Sequence, residues 1–166
     1  MTQQADHTQI KLSGRLSYPH LLEPRSFAND PTAPPKFSTS LLIPKDDAES
    51  LQAIQRAVTA AIEKAVPQKF NGKKPSKGSL RLPYTDGDAK DEDGTYLHSG
   101  EEARGCWILK TNSKDRPPVV TRNPRVKAVA EDIWPGEEAR VLVRFAVYKV
   151  PGNAGVSCYL NAVQVL

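Results

Sequence analysis

The sequence predicts a mostly β domain, either a barrel or a sandwich, with a single α-helix packed on it. Three observations carry that prediction. Apolar and polar residues alternate in several separate runs, the period-two pattern of half-buried strands. One stretch alone shows helical spacing. Proline is abundant, at 14 of 166 residues, and Pro breaks helix interiors, which disfavours a helix bundle.

Residues 10–18 open the series, with Ile10, Leu12, Leu16 and Tyr18 on one parity and Lys11, Ser13, Arg15 and Ser17 on the other. Residues 23–36 hold Pro24, Pro31, Pro34 and Pro35 and read as a loop. Phe37, Thr39, Leu41 and Ile43 alternate next, up to Pro44. Asp46 or Asp47 can cap a helix whose buried stripe is Leu51, Ile54, Val58, Ala61, Ile62 and Ala65, with Pro67 as its stop. In 105–112, Trp107 and Leu109 alternate with Cys106, Ile108 and Lys110; Arg116-Pro117-Pro118 breaks this strand, and Val119-Val120 begins a short one. The clearest strand is 140–150, with Val141, Val143, Phe145 and Val147 on one face and Arg140, Leu142, Arg144, Ala146 and Tyr148 on the other. Pro151-Gly152-Asn153 and Gly155 form a hairpin turn. The last strand then places Val156, Cys158, Leu160 and Ala162 on one face and Tyr159 on the other. No linker or internal repeat divides the chain, so residues 1–166 read as one domain.

Composition narrows the class. Hydrophobic residues make up 39%, charged residues 25%, and the net charge is +4, so the chain is not compositionally disordered. No run approaches the ~18 apolar residues of a membrane span, and the N-terminus has no apolar signal-peptide core. A soluble intracellular protein without membrane contact is the expectation. Cys106 and Cys158 lack any CxxC pattern and the three His are scattered, so no metal site is expected and the thiols read as reduced and buried. A basic stretch (Lys64, Lys69, Lys73, Lys74, Lys77, Arg81) precedes an acidic one (Asp86, Asp88, Asp91, Glu92, Asp93, Glu101, Glu102).

The acidic stretch is the place to look for metal chemistry, but it fails the calcium-loop template. Started at Asp86, the loop puts Lys90 at position 5; started at Asp88, it puts Lys90 at position 3. There is no GxSxG, no P-loop and no GxGxxG, so no catalytic residue and no cofactor is expected. Nucleic-acid binding has more support, because a sheet that grips a single strand needs cations for phosphates and flat rings for bases. Arg140, Arg144 and Tyr148 lie opposite the apolar row of their strand, with Lys149 beside them. Trp107 and Lys110 lie on another strand, followed by Asn112, Lys114 and Arg116, and Tyr159 faces away from the apolar side of the last. Each of these is commonly no more than a solvated or packed side chain; their joint occurrence is the signal.

Five segments in order resemble the tailed-phage single-stranded-DNA-binding proteins with an OB-type core: GRLSYPHLLEP (14–24), KFSTSLLIPKDD (36–47), LRLPYTDGDAKDE (80–92), GCWILKTNSKDRPPVV (105–120) and VYKVPGNAGVSCYLNAVQ (147–164). The resemblance implies an OB-fold-like five-stranded barrel with long extra hairpin strands and one flanking helix. It also implies non-enzymatic, sequence-independent binding of single-stranded DNA during phage replication or recombination, in the cytoplasm of an infected bacterium. Phage or host replication proteins would be further partners. On the family's pattern, the strand of Trp107, Lys110 and Asn112 and the strand of Arg144, Tyr148 and Lys149 form the binding side. Trp107 and Tyr148 are the candidate stacking rings, with Tyr84 and Tyr159 as lesser ones. Arg144, Lys110, Lys149, Lys114, Arg116, Arg81 and Arg122 are the candidates for phosphate neutralisation. Proteins of this type often end in an acidic tail, and this sequence ends on Val163-Gln164-Val165-Leu166. Either the tail lies outside the given sequence, or the 86–102 stretch takes its part, or that regulation is missing. The rival readings are a metal-dependent nuclease using Asp86, Asp88 and Asp91, an RNA-binding protein, and a structural phage protein.

Overall fold

The structure is a computed structural model and describes residues 7–26 and 32–166. Its strands are β1 (Gln9–Arg25), β2 (Lys36–Pro44), β3 (Tyr84–Asp86), β4 (Cys106–Ser113), β5 (Val119–Val120), β6 (Glu138–Val150) and β7 (Asn153–Val165). One α-helix, α1 (Ala48–Lys69), lies between β2 and β3. The sheet order is β3-β4-β2-β1-β6-β7-β5, and a parallel bridge between Asn112 of β4 and Tyr159 of β7 closes β1-β2-β4-β7-β6 into a five-stranded barrel. Strand β1 serves both sides of the closure. Its first half pairs with β6 from Gln9↔Arg144 to Arg15↔Glu138, and its second half pairs with β2 from Arg15↔Leu42 to Arg25↔Lys36. Of the barrel and the sandwich, the chain forms the barrel.

Inward positions of the strands fill the interior with Leu12, Leu16, Leu41, Ile43, Leu109, Val141, Val143, Phe145, Cys158, Leu160 and Val163. The helix adds Ile54, Ala57, Val58, Ala61, Ile62 and Ala65 to the same core and packs mainly against β6. Full burial of one such Leu, Ile or Phe contributes about 1.5–3 kcal/mol, so the barrel wall is a firm support for its outer face. Asp47 caps the helix by accepting from the Ser50 amide at 3.2 Å.

Four local features depart from the sequence reading. The helix runs through Pro67 to Lys69. In the last turn Pro forfeits one amide, and both Glu63 and Pro67 face solvent there. Strand β1 continues to Arg25, past Pro19 and Pro24, because its ladder is irregular between Ser17 and His20 and again between His20 and Arg25, and a proline at a bulge has no hydrogen bond to lose. Tyr18, expected on the inward parity, turns out to solvent in that first irregularity. In β7 a bulge at Asn161, between the pairs Val143↔Leu160 and Leu142↔Ala162, reverses the faces, so Val163 and Val165 point inward and Ala162 does not. Part of the expected 23–36 loop, residues 27–31, lies outside the described residues.

Strand β3, not foreseen from the sequence, belongs to a segment that fills a gap. Strands β4 and β7 bridge at Asn112 and Tyr159 and diverge on one side of that point. Residues 81–86 occupy the space between. The Arg81 amide donates to the Ala154 carbonyl at 3.1 Å, the Val156 amide to the Arg81 carbonyl at 2.8 Å, and the Lys110 amide to the Pro83 carbonyl at 2.9 Å. Among the described residues no helix is long and apolar enough to cross a membrane.

Candidate nucleic-acid interface

Strand register, added to alternation, assembles an outer face. Ser38 of β2 pairs with Asn112 of β4, Asn112 with Tyr159 of β7, Tyr159 with Arg144 of β6, and Arg144 with Gln9 of β1. Residues paired across a ladder point to the same side, so these five form one row around the barrel. The inward neighbours Thr39, Thr111, Cys158 and Phe145 are buried, which fixes the row as outward. Lys110, opposite Ser40, lies beside the row on β4. Toward the hairpin, Tyr148 pairs with Gly155, and Gly155 bridges to Arg81. Tyr148 lies four residues from Arg144 along β6, about 13 Å at strand rise. The face therefore holds two half-buried tyrosines, Tyr148 and Tyr159, the exposed cations Arg144, Lys110 and Arg81, and the polar Asn112, Ser38 and Ser40.

Gly155 permits part of this geometry. A Cβ there would stand 2.6 Å from the Arg81 carbonyl oxygen and 2.7 Å from the Tyr148 hydroxyl. Only a residue without a side chain lets the Arg81 segment and the Tyr148 ring both close on β7.

Other expected site residues lie elsewhere. Trp107 shares its parity with Leu109, not with Lys110, and packs against the main core, half-buried. Its ring meets Tyr84 edge-on at 6.1 Å, and the Lys45 ammonium lies 5.2 Å from its centroid. Trp107 and Tyr84 thus form a packed pair on the opposite side of the β4 backbone from Lys110. Lys149 follows Tyr148 on β6 but does not share the face of Arg144 and Tyr148. It has the parity of Phe145 and Val147, donates to the Lys69 carbonyl at 3.1 Å, and sits 5.3 Å from the Phe70 ring, so it closes the C-terminal end of α1. Arg116 reaches back to the Leu22 carbonyl at 2.6 Å and lies over Phe37. Lys114 is exposed in the turn after β4. Arg122 is exposed next to the C-terminal end of β7, where Gln164 donates to its carbonyl at 3.2 Å.

The acidic stretch is tied down by cations. Lys45 contacts Asp86 at 2.6 Å and Asp88 at 2.8 Å, and its hydrogen bonds hold both carboxyls below the usual carboxylate range. Asp91 lies apart and accepts from the amides of Asp93 and Thr95, both at 2.9 Å. Arg104 donates to the carbonyls of Gly87 and His98 and lies 3.5 Å from the Tyr96 centroid. Both thiols are free; burial pushes that of Cys158 far up and that of Cys106 up.

Sequence reasoning does not single out His20, and it leaves open whether Arg15 and Tyr18, in the first family segment, bind or pack. His20 pairs with Ser38 and so extends the row onto the second half of β1. Partial burial, and then the Arg25 guanidinium, lower its pKa. No periodicity finds His20 or Tyr18, because both lie where β1 loses its alternation.

No curated protein matches this sequence. Among solved structures, the single-stranded DNA-binding protein from bacteriophage Enc34 in complex with ssDNA has the same fold, with a TM-score of 0.76 at 22% identity over 99% of this chain and 93% of that one. A C-terminally truncated form of the Enc34 protein gives a TM-score of 0.74 at 22% identity, covering 99% and 92%. The single-stranded DNA-binding protein gp2.5 of bacteriophage T7 gives 0.55 at 18% identity, covering 95% and 91%. The profile of the family described as Enterobacter phage Enc34, ssDNA-binding protein, matches residues 8–166. The chain belongs to the Enc34 ssDNA-binding protein family.

Proposed function

We propose that this protein is a non-enzymatic, sequence-independent binder of single-stranded DNA, acting as one domain over residues 1–166, during phage replication and recombination in the cytoplasm of the host. The observation that carries the reading is the row Ser38, Asn112, Tyr159 and Arg144, flanked by Lys110 and, toward the hairpin, by Tyr148 and Arg81. OB-type barrels grip oligonucleotides on the face of their second and third strands, here β2 and β4. Bases stack on Tyr159 and Tyr148, since every base has a π-face and stacking does not read sequence. Arg144, Lys110 and Arg81 neutralise phosphates, and Asn112 with the two serines supplies uncharged hydrogen bonds. Lys114 and Arg122 add charge at the margins. Lys149 and Arg116 are committed to main-chain carbonyls and take no phosphate.

Titration of oligo-dT by fluorescence anisotropy tests this. Tyr159→Ala or Tyr148→Ala weakens binding ~5–100-fold, the effect of losing ~1–3 kcal/mol of stacking. Arg144→Gln lowers affinity and flattens the salt slope by about 0.7, the value for one phosphate on a single strand. Matched DNA, RNA and duplex competitors separate the rivals. A wild-type protein that ignores dT, or whose binding does not respond to salt, ends the reading.

A further inference from the structure

Tyr18 is the one described tyrosine whose ring is mostly in solvent, 59% exposed, on a backbone with φ of +48°. A non-glycine residue in the left-handed region costs energy, so the fold spends stability to turn this ring outward. Register says where it stands. Ser17 pairs with Ser40 and Ser40 with Lys110; His20 pairs with Ser38 and Ser38 with Asn112. Tyr18 lies between these two rows, at the level of Lys110 and Asn112, two strands away. From Tyr159 through β4 and β2 to Tyr18 is three inter-strand spacings, about 14 Å along the surface. Strand β1, which carries it, also carries the cations Arg15 and Arg25, and Arg25 lies opposite Lys36 of β2. Beyond β1 at the level of Leu16 the sign changes. The Leu16 amide donates to the Glu137 carbonyl and the Gly136 amide to the Leu16 carbonyl, which brings the turn bearing Glu131, Asp132, Glu137 and Glu138 alongside. Beside Tyr18, phosphates are attracted as far as β1 and repelled by the acidic turn beyond it, whereas the first half of β1 adjoins Arg140 and Arg144 of β6.

We infer that Tyr18 is the terminal stacking station of the DNA track, a base-binding site at the outer end of the face that sets the length of single strand one protein covers. The inference rests on the single-stranded DNA reading above. The ring is held ready by the bulge, so binding does not have to order it, and the acidic turn ends the track.

The test is a dT length series with wild type, Tyr18→Ala, Tyr18→Phe and Tyr18→Gly. Wild-type affinity rises with length to a plateau. Tyr18→Ala leaves the shortest oligomers unaffected, loses ~5–100-fold on the longest and reaches its plateau at a shorter length. Tyr18→Phe retains wild-type behaviour because the ring is kept. Tyr18→Gly relieves the backbone, so its melting temperature is no lower than wild type while the long-oligomer loss persists. If wild type binds but Tyr18→Ala matches it at every length, the inference falls and the DNA reading stands. An equal loss at all lengths also overturns it, by placing Tyr18 in the central face. A wild type that binds no oligomer removes both.

Discussion

Gly155→Ala is a sharp test of how the outer face is built. The new Cβ would stand 2.6 Å from the Arg81 carbonyl oxygen, 2.7 Å from the Tyr148 hydroxyl and 2.9 Å from the Tyr148 Cζ. The tyrosine ring can swing away. The carbonyl cannot move freely, because it accepts from Val156 at 2.8 Å while the Arg81 amide donates to Ala154 at 3.1 Å. Overpacking costs about 1–3 kcal/mol, and loss of one ladder hydrogen bond adds about 0.5–1.5 kcal/mol, so the expected destabilisation is about 2–4 kcal/mol. With a urea m-value of about 2 kcal/mol/M, the unfolding midpoint should fall by about 1–2 M at unchanged slope. Adding Tyr148→Ala removes the ring clash but leaves the carbonyl, so the double variant recovers less than half of the loss. A Gly155→Ala midpoint within about 0.3 M of wild type would refute the close approach of the Arg81 segment, and full recovery in the double variant would refute the order of the two obstacles.

Lys149→Ala should loosen the end of α1 by about 1 kcal/mol, from a charge at a helix C-terminus and a cation–π contact, and leave the salt slope of DNA binding unchanged; denaturant melts and the titration check both. Lys45→Met should lower the melting temperature at pH 7, and this loss should shrink as pH falls below about 4. The sign follows from the lowered carboxyl pKa values of Asp86 and Asp88: their stabilisation is present above the unfolded value of about 4 and is lost as pH falls through the folded values.

Local chemistry made much of the fold legible in the sequence. The inward row Val141, Val143, Phe145 and Val147 was readable because alternation is a property of one strand's backbone. The same parity rule already set Lys149 with Phe145 and Trp107 with Leu109, against the grouping that charge and aromaticity suggested. What parity could not supply was the Lys69 carbonyl that receives Lys149, or the Tyr84 ring that meets Trp107, since both partners are far away in the chain.

The sequence by itself determined the strand faces, the single capped helix, the Pro-Gly hairpin and the excess of cations and rings outside the apolar rows. Tertiary structure alone decided which faces adjoin. Asn112 joins the hairpin pair Tyr159 and Arg144 only when β4 meets β7 in parallel, a closure between residues 47 positions apart along the chain. It also decided where faces reverse. At Tyr18 and at Asn161 a bulge inserts a residue that the partner strand does not match, and that mismatch exists only between two strands, so one strand's sequence cannot record it.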